Sequence, residues 1–155
     1  MPEPAIKIDG FLKVPDIPGP STRDGHEEEI EIFGADFQIT APHDPNSLSR
    51  RGRVSVGIFT CWKHYDKSSP YLKQALFENK PLDEVVFSAR RTIEGATSDY
   101  LVVTMTEASV IAYKMAPGED DEADMFVEKV GFAFKTIKFV YDSDYEYEIN
   151  VHVGV

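Results

Sequence analysis

Cysteine is nearly absent: Cys61 stands alone in 155 residues, which excludes an internal disulfide framework and leaves a small buried apolar side chain as its expected role. Histidine is scarce as well. His26, His43, His64 and His152 show no paired spacing and have one thiol for company, so no transition-metal site is expected. No apolar run approaches the ~20 residues of a membrane span, and Met1 to Pro4 lack the basic-then-apolar pattern of a signal peptide. The expectation is a soluble protein without membrane insertion that, if it leaves the cell, is exported by a dedicated machine. Positive charge is in deficit, with 16 Lys and Arg against 27 Asp and Glu; a formal net charge of −11 argues against a nucleic-acid partner.

Catalytic patterns are missing too. There is no phosphate loop or dinucleotide fingerprint, and no nucleophile elbow surrounds Ser68-Ser69 near His64. Asp120, Glu122 and Asp124 alternate as in a calcium loop, but the glycine and the terminal bidentate glutamate are not at their offsets. The arginines at Arg50, Arg51 and Arg53 have no interleaved aromatics and read as a charged loop. No catalytic residue, metal or cofactor is expected.

The chain does contain one helix signal among many strand signals. Ser69 is placed as a cap and Pro70 at the first helical position; Leu72, Ala75 and Leu76 form an apolar stripe; Asn79 and Pro81 end a helix of about Ser69-Asn79. Three turns are marginal alone in water, so the stripe must lean on a sheet. Elsewhere apolar and polar residues alternate. Ile6-Lys7-Ile8-Asp9 reads as a first strand, and the breakers Pro15, Pro18, Gly19, Pro20 and Gly25 make Val14 to Gly25 a long functional or interfacial loop. The alternation beginning at Glu29-Ile30 changes parity beyond Gly34, as a β-bulge there would cause. A hairpin turning over Glu94-Gly95-Ala96-Thr97 follows, then one long strand from Met125 to Tyr141 whose parity also slips, and a half-buried last strand from Tyr145 to Val155. The expected fold is mainly β: a single domain over residues 1–155, a compact antiparallel β-barrel or closed sandwich of about seven strands with one α-helix. Apolar residues left outside by the parity slips make an oligomer the expected state.

The ordered set of Ile6 to Gly10, Pro18 to Ser21, His26 to Ile32, Asp66-Lys67-Ser68-Ser69-Pro70 with Leu72, Tyr100 to Met105 and Val130 to Tyr141 resembles the haemolysin-coregulated protein family of type VI secretion, across nearly the whole chain. The resemblance implies a homohexameric ring that stacks into a tube inside a contractile sheath, built on a baseplate and tipped by a VgrG-like spike. It implies a lumen that can carry effector proteins, and a location in the bacterial cytoplasm before firing and outside the cell afterwards. Asp16, Pro18, Gly19, Pro20 and Ser21 would form the loop reaching the next ring. Asp36 and Gln38 would face the lumen, where Ala35-Asp36-Phe37 replaces a Trp-Ser-Trp-like pattern common in the family. Because the chain stops with its last strand, an effector is expected to be a separate molecule. Two other classes fit the residues themselves: a monomeric small-ligand barrel and a phage tail-tube-like structural protein.

Overall fold

The computed structural model describes residues 3–4, 6–46, 49–50, 52–119 and 124–151. In chain order the strands are β1 (Asp9–Lys13), β2 (Ile30–Ile32), β3 (Gly34–Asp36), β4 (Ile39–Thr40), β5 (His43–Asp44), β6 (Ser49–Arg50), β7 (Ser55–Val56) and β8 (Phe59–His64). Helix α1 (Ser69–Phe77) follows, then β9 (Leu82–Ile93), β10 (Ala96–Pro117), β11 (Phe126–Ala133), β12 (Thr136–Tyr141) and β13 (Tyr145–Asn150).

The 22-residue β10 organises them. Its first half is flanked by β9 and β12, its second half pairs with β11, and every ladder is antiparallel. From it the ladder runs outward through β9, β1 and β2 on one side and through β11, β8 and β3 on the other, with β13 attached beyond β12. The ladder does not close. The molecule is sandwich-like, and two small pairs, β4 with β7 and β5 with β6, stand apart from the main sheet. Phe59, Phe87, Met105, Phe132 and Ile137 fill the space between its faces, Cys61 is buried among them as expected, and burial pushes the Cys61 thiol up.

Several boundaries differ from the sequence reading, each for a physical reason. The first strand begins at Asp9, because Phe11 and Leu12 are the buried residues while Ile6 lies at the surface. The parity change near Gly34 is no bulge. The chain changes partner there, β2 pairing with β1 and β3 with β8, and the Phe33 N–H donates to the Trp62 carbonyl at 3.0 Å. Met125 to Tyr141 is two strands, broken at Phe134-Lys135, where the Lys135 N–H bonds the Thr106 carbonyl at 3.0 Å. The expected hairpin is present with a tighter turn: Ala96 and Thr97 already pair with Ile93 and Thr92, leaving Glu94 and Gly95 at φ 51 and 79°, the left-handed pair that a two-residue turn demands. The last strand is half-buried only at its end: Ile149 packs against the core, while Tyr145 to Glu148 are exposed because nothing among the described residues covers the apolar side of Tyr145 and Tyr147. Its expected end, His152 to Val155, lies outside the described residues, as do Arg51, Asp120 and Glu122.

Helix α1 ends as its sequence dictates. Asn79 takes φ 51°, and the Lys80 and Asn79 N–H groups return to the Ala75 and Leu76 carbonyls at 2.9 and 3.2 Å, the closing pattern of a left-handed C-terminal cap. Its start differs. Ser68 occupies the cap position without a side-chain cap bond, and Pro70 lies within the first turn. Ser69, assigned the capping role from sequence, is drawn instead into a buried polar cluster. Its Oγ accepts from the Asp66 N–H at 2.9 Å and from Lys63 Nζ at 3.0 Å, and donates to Glu128 Oε1 at 2.6 Å. Lys63 Nζ also donates to Glu128 Oε1 and to the His64 carbonyl, and lies 3.1 Å from Asp66 Oδ1. The Tyr113 hydroxyl donates to Glu128 Oε2; burial and that bond push the phenol up, so it stays a donor. The cluster therefore fastens the helix start to β8, β10 and β11.

Lys63 and Glu128 are both fully buried, so removing one strands the other's charge. Lys63→Met is expected to cost about 3–5 kcal/mol in chemical denaturation, and the double variant Lys63→Met/Glu128→Leu to regain most of it. Equal losses in the single and double variants would show that the charges are not what the frame depends on.

Candidate assembly and cargo surfaces

Asp36 and Gln38 come together. Both are exposed and line one open groove with Thr40, Ser55, Ile58 and Thr60, formed where β3 and β4 run beside β7 and the start of β8. Asp36 stands opposite Thr60 in the ladder, and the Gln38 carbonyl accepts the Gly57 N–H at 2.8 Å. A Cβ on Gly57 would lie 2.8 Å from that oxygen, so glycine permits the approach. One carboxylate among an amide and hydroxyls suits hydrogen bonding to a broad partner. It supplies no nucleophile with a base beside it.

The loop between β1 and β2 is tied down rather than extended. Val14 and Ile17 bridge across a tight turn with Asp16 at φ 62°. Gly19 then enters a short pairing with the end of the loop: its N–H donates to the Glu28 carbonyl at 2.7 Å, Ser21 N–H to Glu29 at 3.0 Å and Glu28 N–H to Ser21 at 2.8 Å. A Cβ on Gly19 would overlap the backbone of Glu29 and Ile30. Of the five residues assigned to ring stacking, Asp16, Pro18 and Pro20 are exposed, while Gly19 and Ser21 are buried and hold the loop's shape.

His26 is a loop residue but not a surface one. It is buried and stacked on Phe11 at 4.3 Å, with Nδ1 2.8 Å from Glu29 Oε1 and Nε2 2.9 Å from Asp99 Oδ2. Arg90 Nε shares Asp99 at 3.1 Å. Burial lowers the His26 pKa, but the bonds to Asp99 and Glu29 outweigh it and hold the pKa above its ordinary value. Glu29, three residues on, was the available sequence signal; Asp99 had none. His43 is exposed, and His64 lies against Phe33 with ring centroids 4.8 Å apart. Among the described residues no group of His, Cys, Asp or Glu could hold a metal ion, and no helix is long and apolar enough to cross a membrane.

Lys63 beside Ser69 has the distance of a serine–lysine catalytic pair, but the ammonium is bound to Glu128 and both side chains are sealed from solvent. The pair holds structure. A third surface is apolar: Tyr145 and Tyr147 on β13 are 68% and 72% exposed and continue the core-facing side of the sheet beyond Phe139 and Tyr141, their ladder partners. Phe77, 91% exposed on α1, is a second apolar projection.

Comparison with known proteins agrees with this architecture. The chain is 24% identical over 138 residues to protein hcp1 of Pseudomonas aeruginosa, covering 88% of this chain and 84% of that one. It is 28% identical over 93 residues to the same organism's "Major exported protein", covering 60% of this chain and 54% of that relative. A solved Hcp protein superposes with a TM-score of 0.81 at 19% identity, covering 91% of this chain and 98% of its own. An Hcp structure from Salmonella typhimurium gives 0.78 at 24%, covering 96% and 98%. These likenesses establish the fold, and the profile of the family described as "Type VI secretion system effector, Hcp" matches residues 11–141; the chain belongs to that family.

Proposed function

We propose that this protein is the exported tube subunit of a type VI secretion system. Six copies form a ring, rings stack within a contractile sheath assembled on a baseplate behind a VgrG-like spike, and the lumen carries effector proteins. The subunit is held in the bacterial cytoplasm before firing and expelled with the tube. The observation that carries this reading, beside family membership, is the uncovered aromatic side of β12–β13. Tyr145 and Tyr147 extend a core-facing surface that a lone subunit leaves in water, and a ring joins unlike patches of neighbouring copies, which suits such a surface. The interior packed by Phe59, Phe87 and Phe132 gives the monomeric ligand-barrel reading no support.

The mass in solution tests the ring. Light scattering is expected to give six subunits, and because six copies of −11 place about −66 on a ring, moderate salt should preserve or strengthen it by screening. A strict monomer at high concentration, or dissociation on adding salt, would contradict this.

Asp36 is assigned to the lumen, where repetition around the ring makes a negative collar that favours basic cargo. In competition binding between basic and neutral effectors, Asp36→Ser should abolish the preference for the basic one. An unchanged preference removes Asp36 from cargo selection.

A further inference from the structure

Nothing in the proposed assembly uses the buried histidine under the loop, yet its surroundings are specific. His26 lies where the returning arm of the loop meets the sheet, its ring flat on Phe11 of β1 with an interplanar angle of 6°. Both ring nitrogens face carboxylates, Nδ1 toward Glu29 at the entry to β2 and Nε2 toward Asp99 of β10. Ionised carboxylates only accept. A neutral imidazole donates through one nitrogen, so one of the two bonds would be lost and a lone pair would face an anion. The site is complete only around the imidazolium.

The neighbouring charges agree. Arg90 of β9 bonds Asp99 through Nε and the Asp24 carbonyl through Nη2 at 2.8 Å, and Arg23 of the loop pairs with Asp9 of β1. Both guanidinium groups lie over the second ring of the stack, Phe11, at 5.4 and 5.6 Å. Three cations, His26, Arg23 and Arg90, thus meet three anions, Glu29, Asp99 and Asp9. The loop backbone is fastened through the same residues: His26 N–H to the Arg23 carbonyl at 2.9 Å and Glu29 N–H to the His26 carbonyl at 3.2 Å.

We propose that His26 is a proton-dependent latch, whose imidazolium clamps the Gly19–Glu29 loop to the sheet between Glu29 and Asp99 and whose deprotonation releases it. The latch holds the segment that presents Pro18 and Pro20, but it is a property of the single subunit and does not rest on the ring reading. The sign follows from linkage. A histidine whose pKa is higher in the closed loop than in the open one stabilises closure fully below the open-loop value of about 6.5, and that contribution is lost as pH rises through the closed-loop value.

Hydrogen exchange on the 155-residue chain tests it without reference to assembly. Exchange at the His26 ring carbon, read by mass spectrometry across pH, should titrate above the ordinary value, and Glu29→Gln should lower that midpoint. In parallel, protection of the Gly19, Ser21 and Glu28 amides, corrected for intrinsic rates, should fall severalfold as pH rises from about 6 to about 9. The strand amides of Val85 and Val103 serve as the reference and should hold. In Glu29→Gln the loss should begin at lower pH. His26 titrating at or below about 6.5, or loop protection that stays flat or falls only in step with the strands, overturns the latch.

Discussion

A lysine and a glutamate sealed in the interior set the terms for the rest of the molecule. Lys63 and Glu128 come from adjacent strands, and neither can be hydrated where it sits. Such a pair offsets the cost of leaving water only when its remaining donors and acceptors are filled. Ser69, Asp66, the His64 carbonyl and the Tyr113 hydroxyl fill them. Each of these partners is thereby fixed, and two of them stand at the threshold of the helix. The helix is placed less by its own propensity than by a charge that needs its first turn.

That placement explains both what was legible in the sequence and what was not. The end of the helix could be read because Asn79 and Pro81 act through local backbone geometry. The hairpin at Glu94-Gly95 was legible for the same reason, and alternation located most strands. Ser69 was misread as a cap because its partner Glu128 is 59 residues away, and the burial of His26 had no sequence signal from Asp99, 73 residues away. Periodicity reports which residues share a face, not whether anything covers that face. The last strand alternates clearly, yet its Tyr145 to Glu148 stretch lies exposed while Ile149 reaches the core. The parity change at Gly34 was seen correctly and explained wrongly: a chain that leaves one partner for another shifts its pattern as a bulge does.

Asp36 and Gln38, paired from sequence as candidates, share a groove, while the loop residues divide between exposed positions and buried anchors. Alternating breakers signalled that the loop was ordered for a purpose. They could not show that its order comes from backbone pairing and a clamped histidine. Distant charges supply that, and only the folded chain brings them together.

Strand β10 belongs to both halves of the sandwich, giving its first half to β9 and β12 and its second to β11. Neither half can melt without stripping hydrogen bonds and core residues from the other, so the shared strand ties the domain into one cooperative unit. Damage to the frame is then felt everywhere at once. A defective chain is lost whole instead of persisting half-folded, a sorting step that requires no other component.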